Sequence, residues 1–189
     1  MKNFKTIALA FLAFGVTSLT NAQTKKIDAS KSNISWVGKK ITSSHEGTIK
    51  LKEGSLTFKG KKVTNGNFIV DMSSIEVTDL KAGSGKEKLE GHLKADDFFG
   101  VENHPTAKLV FTKIATKQNG LFTITGDLTI KGITHPVTFD MVVNGSKATA
   151  SLVVDRTKYD IKYGSGSFFD GLGDKAILDN FDLAVELVF

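Results

Sequence analysis

Cysteine is absent from this chain, which excludes a disulfide framework and a lipid-attachment thiol at any leader cleavage point. The fold must stand on its apolar core. Histidine is scarce: His45, His92, His104 and His135 have no short ligand spacing, so a metal site would need all four to converge from separate elements. They read as turn or surface histidines. No G-x-S-x-G nucleophile elbow is present. Gly85-Lys86 looks like the end of a phosphate loop, but Glu87 replaces the required Ser/Thr and Leu80 sits where the first glycine belongs. Asp96 and Asp97 are adjacent rather than opposed and read as turn caps. These gaps predict a protein that is not an enzyme and needs no cofactor. Long apolar runs are also missing, except for Ile7–Val16, which is far short of the roughly 20 residues that span a bilayer.

That run follows Lys2 and Lys5 and precedes Thr20-Asn21-Ala22, the order of a basic n-region, an h-region and a small-residue cleavage site. A signal peptide over 1–22 and an exported protein, periplasmic or secreted, are therefore expected. Removing residues 1–22 from 189 leaves 167, one domain by length, able to bury about 70% of its unfolded surface. The formal net charge falls from +5 to +3 with Lys2 and Lys5 gone, but residues 25–62 hold ten lysines against Asp28, Glu46 and Glu53. Export argues against nucleic acid as the partner. The basic stretch is either a solvated face that keeps outer strands unpaired or a peripheral contact with anionic membrane lipid.

What the chain does have is a period of two. In Phe122–Val143, Phe122, Ile124, Leu128 and Ile130 alternate with polar residues. After a turn placed at Gly132–His135, Val137, Phe139, Met141 and Val143 carry the apolar face. Each run is a strand with one dry face, and together they make an antiparallel hairpin. The same pattern predicts strands at Ile34–Gly38, at Gly47–Leu51 and, beyond a turn at Glu53-Gly54, through Leu56 and Phe58. Others follow through Phe68–Met72, Ala107–Phe111, Ala148–Val154 and Ile177–Phe189. Ser84 and Glu87 have capping-box spacing, with Leu89 and Leu93 at i, i+4 behind them, which predicts a short helix near Lys86–Lys94. A tight turn through Asp96–Gly100 and Pro105 ends that segment. About eight or nine antiparallel strands predict an all-β, lipocalin-like up-and-down barrel, with a β-sandwich as the alternative.

The interior is the candidate site. Eleven phenylalanines follow the leader, against two tyrosines and one tryptophan, and phenylalanine supplies apolar area with no polar handle to satisfy. Small residues share the inward phase: Gly38, Gly47, Ala107, Gly126, Ala148 and Ala150. They either leave volume open for a ligand or relieve the taper of a filled barrel. Phe98-Phe99 and Phe168-Phe169 fall outside strands, where they would plug one end or line its mouth. Arg156, the one arginine among 25 basic residues, is either a headgroup contact or a structural pair.

Several motifs resemble one family. Ile34-Ser35-Trp36 with Gly38-Lys39-Lys40 and His45-x-Gly47-Thr48 is similar to the opening of YceI-like lipid/polyisoprenoid-binding proteins. His92–Pro105, Gly126–Val137 and Asp155-Arg156-Thr157 resemble later motifs of that family, in the same order, so the likeness covers essentially the whole of 23–189. Gly100 stands where an aspartate is common, and Asp160 where a glycine often follows. The resemblance implies an eight-stranded barrel with helical insertions, a long apolar tunnel holding an isoprenoid or other long-chain amphiphile, and a periplasmic location.

The function expected is carriage or sequestration of such a lipid. Trp36, Ile49, Phe68, Phe122, Ile124, Leu128, Phe139, Met141, Ala150, Leu152, Val154, Phe181 and Leu183 are expected to line the barrel. Phe98, Phe99, Phe168 and Phe169 are placed at its mouth, with Arg156 and His92 nearer a polar headgroup. The alternatives are an enzyme acting on a lipid and an exported β-domain with a filled core and a protein partner. Whether the chain forms a homodimer is left open.

Overall fold

The computed structural model describes residues 21–189. The expected leader, apart from Asn21 and Ala22, lies outside the described residues. Nine strands follow in chain order: β1 Ala22–Lys26, β2 Asn33–Lys40, β3 Ser44–Lys59, β4 Lys62–Val77, β5 Thr106–Gln118, β6 Leu121–Ile130, β7 Ile133–Asn144, β8 Lys147–Asp155 and β9 Ile177–Val188. Helix α1, Lys86–Lys94, lies between β4 and β5. From β2 onward each strand pairs antiparallel with the next, and β9 returns to β2. The result is a closed eight-stranded up-and-down barrel, which leaves its ring no free edge. The ninth strand, β1, lies outside this ring and pairs only with Ser55–Lys59 of β3.

Two expected turns are corrected. Glu53-Gly54 is not a turn: β3 runs unbroken for 16 residues, with Glu53 opposite Ile69 and Gly54 opposite Phe68. The register slips between Leu51 and Glu53, so the buried phase passes from Ile49 and Leu51 to Leu56 and Phe58. A bulge inserts one residue and flips every following side chain, which in sequence imitates a turn. The β6–β7 connection is also shorter than Gly132–His135. Lys131 and Gly132 alone make it, with φ of 50° and 74°, the positive pair a tight hairpin turn demands.

Helix α1 forms over the residues expected, but not through a capping box. Gly85 is its N-cap, with φ 101° and no side-chain cap, while Glu87 reaches back to accept from the Gly83 N–H at 3.1 Å. Strand β1 had no sequence signal, because AQTKK has no apolar face.

Alternation gives the barrel two ends. The β3–β4, β5–β6 and β7–β8 hairpins share one. The other carries the β2–β3 turn, α1 with its following turn, the Lys131-Gly132 hairpin and the 156–176 segment between β8 and β9. At the first end Leu56, Phe58, Val63, Phe122 and Ile124 are all buried. The Phe58 and Phe189 rings meet there at 5.4 Å, with Lys25 Nζ 5.0 Å from the Phe189 centroid. This end is filled with side chains.

Candidate functional site

The other half of the interior is open. A cavity of about 190 Å³ extends inward from the mouth, with walls from every barrel strand. Trp36, Ile49, Phe68, Leu128, Phe139, Met141, Ala150, Leu152, Phe181 and Leu183 all lie on its wall, and Phe98, Phe99 and Arg156 stand on it at the mouth end. Gly38 is on the wall too, and a Cβ there would meet nothing within 4 Å. Gly47 serves a different purpose: a Cβ would run into the Glu76 carbonyl and the Trp36 ring. That glycine lets Trp36 lie flat against β3, where its indole N–H donates to the Thr48 carbonyl at 3.2 Å.

Phe122, Ile124 and Val154 have the inward phase but are absent from the cavity wall. All three are essentially inaccessible to solvent, because Phe122 and Ile124 belong to the filled end, and Val154 packs just before the turn of 3₁₀ helix at Arg156–Tyr159. Strand phase marks which way a side chain points, not how deep along the barrel it lies. Phe168 and Phe169 are half exposed and off the wall. Their N–H groups both donate to the Ser165 carbonyl, at 3.2 and 3.0 Å, and this turn leaves the rings on the outer rim, with Lys162 Nζ 5.2 Å from the Phe168 centroid.

His92 is also off the wall. Its ring meets Tyr163 edge-on at 4.3 Å and Phe98 at 5.5 Å, and its Nε2 lies 3.4 Å from Asp97 Oδ2 without hydrogen-bond geometry. It therefore braces the turn that carries Phe98 into the mouth. Phe98 and Phe99 contact each other at 5.1 Å, and Phe99 meets Phe181 of β9 at 6.3 Å.

Several wall residues had not been expected to line the site. Leu51, Phe111, Ile130, Val185 and Leu187 carry the inward strand phase and were legible by that rule. Leu93 lies on the buried face of α1. Ile75 follows a second slip between β3 and β4, where Ser74 Oγ donates to the Asp71 carbonyl at 2.6 Å and accepts from the Lys50 N–H at 2.8 Å. Leu178 and Asn180 reach the wall out of phase, at the start of β9.

Arg156 is the one charged side chain on the wall, and it is 2% exposed. Its Nε donates to the Leu178 carbonyl at 3.1 Å, Nη1 to that of Ile161 at 2.8 Å and Nη2 to that of Ile177 at 3.0 Å. Burial pushes its pKa below the ordinary guanidinium value, against the opposing pull of Asp179 and Asp155. The planar fork thus binds the 156–161 segment to the first residues of β9, a geometry an ammonium cannot copy. Asp179 Oδ1 lies 3.8 Å from Nη2 and has no hydrogen-bond partner. Burial alone would raise the Asp179 carboxyl, but Ser165, Ser167 and Arg156 hold it below its usual range.

Among the described residues no group of three metal-ligating side chains converges, and no helix is long and apolar enough to cross a membrane. The described residues thus form a closed barrel, filled at one end and hollow at the other, with an apolar wall of the kind a small-molecule site requires. The family model for the YceI-like domain matches residues 26–189, and the chain belongs to that family. A UPF0312 protein of Shewanella denitrificans is 38% identical over 86 residues, 46% of this chain and 42% of that one. A UPF0312 protein of Staphylococcus epidermidis is 33% identical over 122 residues, 57% of this chain and 68% of its own. The chain thus spans less than half the length of the first relative and about two thirds of the second. BcnA of Burkholderia cenocepacia shares the fold with a TM-score of 0.69 at 24% identity, over 86% of this chain and 99% of that one. A polyisoprenoid-binding domain from Saccharophagus degradans does so with a TM-score of 0.56 at 14% identity, over 86% and 95%.

Proposed function

We propose that this protein is an exported, non-enzymatic binding protein that holds a long-chain amphiphile such as a polyisoprenoid, for carriage or sequestration. The observation that carries this reading is the hollow half of the barrel, walled almost entirely by hydrocarbon and opening at one end. Each methylene moved from water into it contributes about 0.8 kcal/mol, less the cost of ordering the chain. An apolar cavity larger than a side-chain packing defect stays dry and favours an apolar guest. The polyisoprenoid-binding domain that shares the fold supports the choice of ligand class. Export is supported by the leader pattern of residues 1–22, and cleavage there would start the mature chain at Gln23.

The test is native mass spectrometry of the protein from its own host, before and after solvent extraction. A bound long-chain mass that extraction removes is expected, and the extracted protein should then bind a fluorescent long-chain probe. Protein that carries no such mass and binds no probe would overturn the reading.

A further inference from the structure

On the container reading above, the depth of the cavity decides how much of a chain it can hold, and its floor is aromatic. Phe68 of β4 and Phe111 of β5 are the innermost wall residues of their strands. Their rings meet at 5.4 Å, and Phe111 meets Phe139 of β7 at 6.1 Å, so a row of three rings reaches from β4 to β7. Beyond it lie Leu56, Phe58, Val63, Phe122 and Ile124, all buried and none on the wall.

Two glycines seat this floor. Gly54 of β3 is paired opposite Phe68, and a Cβ there would stand 2.7 Å from the Phe68 ring. A Cβ at Gly66 of β4 would stand 2.5 Å from the Phe111 ring. Neither glycine has a positive φ, so neither serves a turn. Inside a strand, glycine weakens the structure and marks a place where another group approaches the backbone closely. Here the two rings do so, and packing onto bare backbone fixes them at the bottom of the cavity.

The space above the floor is small. An apolar cavity of about 150 Å³ takes benzene, about six carbons. The cavity of about 190 Å³ therefore holds about eight carbons of a chain. The rest of a longer chain would leave through the mouth, where Leu178 is both on the wall and exposed. We propose that Phe68, Phe111 and Phe139 set a chain-length limit. The terminal segment of about eight carbons is bound, carbons beyond it add little, and the ligand class extends to amphiphiles of medium chain length.

Primary alcohols of about six to about sixteen carbons, kept below their micelle concentrations, test this by displacing a fluorescent long-chain probe. In the wild type, affinity should rise about fourfold per methylene up to about eight to ten carbons and then level off. Phe111→Ala should move the break to longer chains by about four carbons, fewer than the removed ring, because the surroundings partly collapse. Phe111→Leu, the milder change if the melting curve shows the alanine variant unfolded, should move the break the same way by less. Affinity that keeps climbing about fourfold per methylene through the whole series would overturn the inference while leaving the container intact. So would a folded Phe111 variant whose break stays at the wild-type length, or a bound probe that no alcohol displaces. No displacement at any length, with no binding of the probe itself, would instead remove the container reading.

Discussion

Ala148 and Ala150 stand two residues apart on the inward face of β8, yet they belong to different halves of the molecule. Ala148 is 1% exposed, pairs with Val143 and Leu187 and does not reach the cavity. Ala150 pairs with Met141 and Val185, and all three are on the cavity wall. The same residue type in the same phase thus packs a core at one depth and leaves a void at the next. The barrel achieves this without polar machinery: its filled end pools the rings of Phe58, Phe122 and Phe189, while its hollow end distributes Gly38, Ala107 and Ala150 around the wall. One half stabilises the fold, and the other gives up packing to keep space.

The largest effect that would sharpen this contrast is at the filled end. Phe122 is 1% exposed and off the wall, so Phe122→Ala should cost about 3–5 kcal/mol through lost burial and a new cavity. Long-chain affinity in the protein that remains folded should change little. Denaturant unfolding and probe titration measure the two separately, and a variant that keeps its stability but loses the probe would place Phe122 at the ligand.

Arg156→Lys comes next. The ammonium can replace at most part of a three-carbonyl network, and a buried carbonyl left without its donor costs about 1–3 kcal/mol. Stability should fall by about 2–3 kcal/mol, with the melting curve as the measure. An unchanged curve with impaired binding would make the residue a ligand contact and nothing more.

How far the sequence could separate the two halves follows from particular residues. The period of two located the strands and the inward faces, because alternation is enforced wherever one face is dry. It could not locate the bulge at Leu51–Glu53, since an inserted residue and a turn both flip the phase. Nor could it separate Phe122 from Phe139: both point inward, but depth along the barrel depends on strand tilt and length, which are properties of the closed ring. Arg156 stood out by its rarity, but its three carbonyl partners lie in Ile161, Ile177 and Leu178, and only the fold brings them together. The mouth aromatics divided in the same way. Phe98 and Phe99 turn in under the brace of His92, and Phe168 and Phe169 stay on the rim.

The pair of alanines gives a smaller and more selective test. Ala148→Phe should overpack the filled half and cost about 1–3 kcal/mol or prevent folding. Ala150→Phe puts its ring into the cavity, so stability should drop by less than about 1 kcal/mol. Its affinity for a long-chain probe should fall at least about tenfold, because the ring occupies the volume the chain would fill. Equal destabilisation by both would show that the wall around Ala150 is as tightly packed as the core around Ala148. Equal binding by Ala150→Phe and wild type would remove that residue from the site.

The smallest effect asks whether dryness stops at the filled end. Tyr159 belongs to the segment that Arg156 ties across the mouth, and it is 1% exposed, with its hydroxyl unpartnered and its ring edge-on to His135 at 5.5 Å. Burial, helped by Asp155, pushes the phenol up to about 12 from its ordinary value of 10.0. The sign is that of a folded-state pKa raised above the unfolded one. The stability is complete below pH 10, falls as the unfolded chain ionises and the folded one cannot, and levels off above about pH 12. Since the hydroxyl is buried and makes no hydrogen bond, Tyr159→Phe removes a desolvation penalty and should raise stability at neutral pH, by about 1 kcal/mol. Its distinctive effect is alkaline. Wild type should lose stability between pH 10 and about 12 more steeply than the variant, with the lysines contributing equally to both. Parallel curves would mean that water reaches the hydroxyl and the mouth segment is wet. Divergence above pH 10 would extend the dry interior to the underside of the mouth, so that the hollow half differs from the filled half in packing but not in polarity.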